Sequence, residues 1–523
     1  MNNTETDQSK HLFLHGFASK RMVLLNIVLA TVYFIAIAFG FDHGNRLLFS
    51  LLILGEIFHL TQVIGYSYTV WGKRPKHIFN EHFGAPVDVF ITVCGEPVEI
   101  VRETAEAAMA MDYPRFTIYL LNDGYVAKKD NYLEIMNLAR ELGIGCITRR
   151  TPGGAKAGNI NNGLKETSHP YFVVFDADHV PHSDFLKETM GYFTDPKMGF
   201  VQTPQYYKNQ STNMIAQTAR DQQTHFFGPI MAGKNRSNSA FMCGTNMVVS
   251  RKAILQAGGM CEFNIAEDFL TSLFIHAKGW KSVYVPKVLA EGLAPEDFLS
   301  YYKQQFRWTR GSLEVIFKYN PLFMRGLSFG QRIQYLTSAS YYLSGAVVLI
   351  DMLIPLVFLY TGVTAINTAT MALALFFLPY IVLNLHMLQK TSNFTYTFTA
   401  ISFSLSSWFL QLRAVVGVLL NQKTSFAVTP KSQQEGNFAY LVIPHFVYIF
   451  AGLIGLGIGL MREGFSASLI ANLSWVFINA AIFLPFIKAA LPKKTSPYLK
   501  KEKKVRERNT AINTKRIATE HIL

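Results

Sequence analysis

The sequence predicts an α/β domain on a parallel sheet, inserted between groups of membrane-spanning helices. Three observations predict it. Half of the 523 residues are hydrophobic and only 16% are charged, too apolar for an ordinary soluble enzyme. The excess is gathered in long blocks at both ends. Between them, β-branched apolar runs alternate with helix-forming stretches, and carboxylates stand just after the runs.

The blocks read as spans because each approaches or exceeds the ~20 residues that cross ~30 Å of hydrocarbon. They are 22–40, 47–70, 334–360, 364–388, 439–461 and 467–490. Lys20-Arg21 before the first imitates a signal peptide, but the run is long and a second span follows closely, so it reads as a span. The stretch 397–420 is interrupted by Ser, Thr and Arg413 and reads as an interfacial helix. Lys73, Arg74 and Lys76 follow the second span, and Lys390, Arg413, Lys423 and Lys431 lie between the fourth and fifth. The turns at 361–370 and 461–466 are nearly uncharged. That asymmetry places both termini and the 71–330 region in the cytoplasm of a multi-pass plasma (inner) membrane protein. The chain thus divides into 1–75 (two spans), 76–330 (cytoplasmic domain), 331–490 (four spans, an interfacial helix and a loop at 421–436) and a basic tail, 491–523.

The tail holds ten Lys or Arg against three Glu, which is 10 − 3 = +7 of the net +14. It lacks interleaved aromatics, which argues against nucleic acid, and its juxtamembrane position suits anionic lipid. The four cysteines, Cys94, Cys146, Cys243 and Cys261, have no metal-type spacing and read as reduced thiols.

Within the middle region, Val87–Val93, Phe116–Leu121, Ile144–Thr148 and 171–175 read as strands, and 97–111 and 130–142 as helices. This is the order of a doubly wound parallel sheet, whose ligands bind at the strands' carboxyl ends. Asp123 follows one strand; Asp176 and Asp178 follow another. The Asp-x-Asp suits one divalent cation, Mg2+ or Mn2+, that takes its remaining ligands from water and phosphates. Lys156 in a Gly-rich loop suits a diphosphate. Ala266-Glu267-Asp268 opens an amphipathic segment, and Gln304-Gln-Phe-Arg-Trp308 precedes the membrane. Transfer of a sugar from a nucleotide to a hydroxyl uses all of these: cations neutralise the departing diphosphate and a carboxylate accepts the proton.

These residues resemble the processive family 2 glycosyltransferases, specifically the cellulose synthase catalytic subunits, over about residues 86–431. The motifs follow in order: Asn122-Asp123-Gly124, Lys156-Ala-Gly-Asn-Ile-Asn161, Asp176-Ala-Asp-His179, Val201-Gln-Thr-Pro-Gln205, Phe241-Met-Cys-Gly-Thr-Asn246, Asp268, Gly279-Trp280, Gly292-Leu-Ala-Pro-Glu296 and Gln304-x-x-Arg307-Trp308. Phe426-Ala-Val-Thr-Pro-Lys431 resembles that family's gating loop. Asn122 and Ala266 depart from the family's usual Asp and Thr.

The resemblance implies a GT-A-type domain. Asp123 would contact the uracil, Lys156 the nucleotide, Asp176 the diphosphate and metal, and Asp178 the metal. Asp268 would be the general base beside Glu267, Arg307 would neutralise diphosphate charge, and Gln304 and Trp308 would meet the acceptor sugar. Cys243 would sit near the acceptor as a packing residue, and Phe426, Thr429 and Lys431 would close over the site. The expected partners are a UDP-sugar donor, a growing polysaccharide, membrane lipid and an accessory export subunit. UDP-glucose and a β-1,4-glucan are the first expectation. The alternatives are curdlan, a mixed-linkage or branched β-glucan, chitin, hyaluronan, a non-processive lipid-linked transfer, and a non-catalytic scaffold or transporter. Some thirty residues after the last span leave no room there for a C-terminal cyclic-di-GMP-binding barrel.

Overall fold

The computed structural model describes residues 12–14, 16–72, 75–368, 370–422 and 436–492. Its α/β domain is built on seven strands: β1 Val87–Val93, β2 Phe116–Asn122, β3 Gly145–Thr148, β4 Tyr171–Asp176, β5 Met198–Gln202, β6 Met247–Ser250 and β7 Lys281–Tyr284. Their order across the sheet is β7-β5-β6-β4-β1-β2-β3. All neighbours are parallel except β6, which runs antiparallel to both β4 and β5. The four strands expected from the sequence are β1 to β4, matched within a residue. Strands β5, β6 and β7 are not among those expected from the sequence, and the reversal of β6 is set by its pairing with β4 and β5.

Why these residues form strands is plain from the packing. Every residue of β1 is buried, because helices cover both faces of a central parallel strand, which favours a continuous apolar run over alternation. Val87, Val89 and Ile91 pack on one face with Val173 and Phe175, and Phe90 packs on the other with Phe172 and Val174. The helices Val98–Met109 and Tyr132–Glu141 lie within the expected stretches.

Register places the chemistry. Thr92 pairs with Asp176 and Val93 with Asn122, so β1, β2 and β4 end level. The chain leaves β1 toward β2 and β3 on one side and returns to β4 on the other. That reversal of strand order is where open α/β sheets form a crevice. One expectation is corrected here: the Gly-rich loop is short, and Lys156 stands in the first turn of the helix Ala155–Glu166.

Seven described helices are long and apolar enough to cross a membrane: Lys20–Gly40, Arg46–Val70, Phe329–Thr361, Met371–Thr391, Phe398–Leu419, Ala439–Glu463 and Ala467–Ala490. Phe398–Leu419, read as interfacial from the sequence, is broken at Ser407 into two shorter helices, as Phe329–Thr361 is interrupted at Tyr341–Leu343. The residues flanking it on both sides meet the α/β domain or its adjoining helix. Thr397 Oγ1 donates to Asp221 Oδ2 at 2.7 Å, and Arg310 Nη2 donates to the Gln422 carbonyl at 2.7 Å.

At the opposite end of the bundle, Asp42–His43 pairs antiparallel with Ile366–Asn367, and Arg462 Nη1 donates to the Leu359 carbonyl at 3.0 Å. Before the first span, the Leu14 N–H donates to the Pro286 carbonyl at 2.8 Å, beside the sheet.

Candidate active site

A cavity of about 630 Å³ opens at the carboxyl edge of the sheet. It is lined by Asp123, Lys156, Asp176, Asp178, Cys243, Glu267, Asp268, Gln304, Arg307 and Trp308, so all ten site residues expected in the described chain converge on one space. Phe426, Thr429 and Lys431 lie outside the described residues.

Asp123 follows β2 and is held by its own N–H, which donates to the Val93 carbonyl at 2.8 Å. Both its oxygens face Arg149, with Nε to Oδ1 at 2.6 Å and Nη2 to Oδ2 at 2.7 Å. This planar fork-to-carboxylate match is what a guanidinium provides and an ammonium cannot. Arg149 also donates to the Ala155 carbonyl at 2.9 Å and to that of Gly153. It thereby fixes the turn that starts the Lys156 helix, where Gly153, Gly154 and Ala155 all have positive φ. Arg149 carried no signal in the sequence, since a single Arg after a strand is unremarkable until its partner is known. Asn122 turns inward: its side chain donates to the Tyr132 carbonyl at 2.9 Å and accepts from the Gly124 N–H at 3.0 Å. An amide serves both bonds, whereas an ionised Asp could only accept.

Lys156 Nζ donates to Asp176 and, at 2.8 Å, to the Gly244 carbonyl. Burial opposes its charge, but Asp176, Glu267 and Asp268 outweigh it and hold the ammonium above its ordinary pKa. Asp176 is further anchored at the strand end: Thr92 Oγ1 donates to its Oδ1 at 3.2 Å, and its own N–H donates to Thr245 Oγ1 at 2.9 Å.

Two residues on, Asp178 is buried and accepts from the Leu293 N–H at 3.2 Å. Next to it, His179 packs against Gly292, where any Cβ would strike the imidazole. Neither of its buried ring nitrogens has a hydrogen-bond partner among the described residues. Asp176, Asp178 and His179 each present one ligand atom within 4.8 Å of the others. His179 Nδ1 lies 3.5 Å from Asp178 Oδ1, and two carboxylate oxygens beside an imidazole are a donor set that fits a divalent cation. The sequence reading left His179 without a role, although it stands next to the Asp-x-Asp.

Glu267 and Asp268 open the helix Glu267–Ala277. Burial raises both carboxyls above the usual range. The charge of Asp268 adds to the effect on Glu267, and Lys156 opposes it in both. Arg307 is lowered from its ordinary value by burial, while Glu267, Asp176 and Asp268 pull the other way. The Cys243 thiol is pushed well above its usual value, first by burial and then by Asp268. Protonated, it is a packing group and a poor nucleophile.

Gly244 decides whether this arrangement fits. Its φ is +84°, and a Cβ there would lie 3.1 Å from Asp268 Oδ2 and 3.6 Å from Lys156 Nζ. Gly244→Ala is expected to lower stability by about 1–2 kcal/mol, the usual left-handed penalty, and to reduce transfer further by crowding the carboxylate. Thermal unfolding and initial rates measured side by side check it: a stable variant with wild-type rate would remove Gly244 from the argument.

The comparisons with known proteins agree with this geometry. Residues 85–311 match the family model described as glycosyltransferase like family 2, and residues 256–462 the model described as cellulose synthase. The cellulose synthase catalytic subunit [UDP-forming] of Pseudomonas fluorescens (strain SBW25) is 31% identical over 490 residues, covering 88% of this chain and 65% of the relative. Cellulose synthase 2 of Novacetimonas hansenii is 30% identical over 460 residues, covering 84% of this chain but 28% of the relative. The chain therefore spans less than two thirds of the length of these curated relatives. Among solved structures, a mannosyltransferase from Pyrobaculum calidifontis in complex with GDP-Man and Mn2+ matches the fold with a TM-score of 0.51 at 14% identity, covering 72% of this chain and 100% of that one. The two family models match in succession along 85–462 and the relatives align across most of this chain, so its similarity to the family 2 glycosyltransferases and to the cellulose synthases runs from the first strand of the sheet into the membrane helices.

Proposed function

We propose that the protein is a processive, inverting β-glycosyltransferase that takes glucose from UDP-glucose, extends a β-1,4-glucan and passes it across the inner membrane. One observation carries the reading. The Asp-x-Asp at the sheet edge, the Glu267–Asp268 pair and the Gln304–Trp308 segment share a single cavity. The helix bearing that segment, Phe298–Glu314, also packs on the membrane helices, with the Phe298 and Phe486 rings 4.8 Å apart. A polymerising site needs this continuity from donor to exit path.

In this reading Asp123 and Arg149 bind the base, while Lys156 and Arg307 neutralise the diphosphate as it departs. Asp268 takes the proton from the acceptor hydroxyl, and the hydroxyl oxygen attacks the anomeric carbon on the face opposite UDP. Glu267 stands beside Asp268 in the lining of the same cavity. Trp308, with Gln304 beside it, offers a flat apolar face to the terminal sugar. Asp176, Asp178 and His179 would hold Mg2+ or Mn2+, which supplies positive charge to the leaving diphosphate. Phe426, Thr429 and Lys431, outside the described residues, are assigned by the motif alone to excluding water during transfer.

Six crossings, with the α/β domain and both termini cytoplasmic, follow from the charge asymmetry. The contacts made by both ends of Phe398–Leu419 support keeping that helix at the interface. The tail, of which 493–523 lie outside the described residues, meets anionic lipid, and an accessory export subunit receives the product.

The test is linkage analysis of product made by the purified protein from radiolabelled UDP-sugars supplied one by one. UDP-glucose is expected to give a long β-1,4-linked glucan. Single-sugar transfer, or polymer from another UDP-sugar alone, would overturn the assignment.

A further inference from the structure

The helix that presents Glu267 and Asp268 begins without the usual support. Its cap residue is Ala266, which has no side chain able to accept from the first-turn N–H groups. A helix start normally gains ~1 kcal/mol from such a cap, and here the two residues that follow are acids whose burial disfavours their charged forms. The site nonetheless needs this turn fixed, because Asp268 must stand at one distance from Arg307 and Trp308 on the neighbouring helix.

What holds the turn is a buried hydrogen-bonded chain that runs away from the cavity. Asn264 Oδ1 accepts from the Ala266 N–H at 2.7 Å. The same amide donates from Nδ2 to Glu314 Oε2 at 3.3 Å and to the Gly311 carbonyl at 3.4 Å. Glu314 Oε1 in turn accepts from Arg310 Nε at 3.2 Å. Asn264, Arg310 and Glu314 are all buried, and Arg310 is among the largest fully buried side chains. Gly311 completes the contact: a Cβ there would fall 2.7 Å from the Ala266 nitrogen. Arg307, Gly311 and Glu314 recur at helical spacing along one face of Phe298–Glu314. One helix face therefore carries Arg307 at the cavity and the anchor for the Asp268 turn behind it.

We propose that Asn264 and Glu314, with Arg310 holding Glu314, are positioning residues that clamp the Asp268 turn to the Arg307–Trp308 helix and so set the distance between proton acceptor and acceptor sugar. This rests on Asp268 being the general base. None of the three lines the cavity, so their effect should fall on the transfer step and spare nucleotide binding. A misplacement of ~1 Å in such a site costs on the order of 10²-fold in rate.

The experiment uses the full chain in detergent and three variants: Asn264→Ala, the near-isosteric Glu314→Gln, and the double. UDP release from UDP-glucose gives kcat and KM, UDP titration gives Kd, and kcat/KM is followed against pH. Asn264→Ala is expected to lower kcat by roughly 10–100-fold, with UDP Kd within about twofold. Its acid limb should move to lower pH, because a loosened turn exposes Asp268 to water and relieves the burial that raises its pKa. Glu314→Gln should show a smaller loss in the same direction. The double should be no worse than Asn264→Ala, since both act along one chain.

Unchanged kcat and pH limb with only a lower unfolding temperature would reduce the chain to ordinary packing and overturn the proposal. So would strictly additive losses. If Asn264→Ala does not fold, Glu314→Gln alone decides by the same kcat and pH readouts. Wild-type transfer in Asp268→Asn would instead sink the general-base reading, whatever the Asn264 variants do.

Discussion

Asp268→Asn is expected to lower transfer by ~10²–10⁴-fold, the range a general base contributes, while UDP binding stays near wild type. The alternative role for an acid at a helix start is a macrodipole contact of ~0.3–1 kcal/mol, less than about tenfold in rate. The magnitudes therefore separate the two. Isotope-labelled transfer and UDP titration of the same preparation would measure both, and a loss under tenfold would move the base elsewhere. The pH profile adds an independent reading. Burial disfavours the Asp268 carboxylate and raises its pKa against the opposing Phe269 N–H and Lys156. A base must be deprotonated to work, so kcat/KM should rise with pH along an acid limb centred above the ordinary Asp value of ~3.9. A limb at ordinary carboxylate pH would contradict the burial.

The second large effect is at Asp178. Asp178→Asn keeps the side-chain shape and a carbonyl oxygen toward the Leu293 N–H, but removes an anionic ligand from the Asp176–Asp178–His179 cluster. Polymer synthesis should fall below detection, and EDTA should abolish it in the wild type, with recovery on adding Mg2+ or Mn2+. Stability gives a separate readout. A cation that binds only the folded state raises the unfolding temperature as its concentration rises, so Mn2+ with UDP should stabilise the wild type but not Asp178→Asn. Full synthesis in EDTA would remove the metal from the scheme.

Much of the site was legible because its residues belong to short local patterns. Asp176 and Asp178 end a strand whose continuous apolar run announces burial on both faces, and Lys156 lies among glycines. Glu267 and Asp268 stand where an amphipathic helix begins. In each case local periodicity fixes the element and the element fixes where the side chain emerges. Arg149, Asn264 and Glu314 were not legible, for a common reason. Arg149 meets Asp123 across 26 residues and Glu314 meets Asn264 across 50, and no spacing in the chain reports such a pairing. His179 was visible but mute, since only its burial and its place within 4.8 Å of the Asp176 and Asp178 oxygens mark it as a ligand candidate.

The membrane segment shows the same division. Length and hydropathy identified every long apolar helix, but Phe398–Leu419 meets that measure too. What sets its surroundings apart is tertiary: Thr397 meets Asp221 just before it and Gln422 meets Arg310 just after it. By itself, then, the sequence determined strands β1 to β4, the helices long enough to span, the ten cavity residues of the described chain and the family resemblance, because these follow from local periodicity and short motifs. The tertiary structure decided the reversed strand β6 with β5 and β7 beyond it, the fork of Arg149 on Asp123 and the buried chain behind Asp268. Those depend on which distant segments share a low-dielectric interior, where every buried polar group must find a partner that adjacency along the chain does not name.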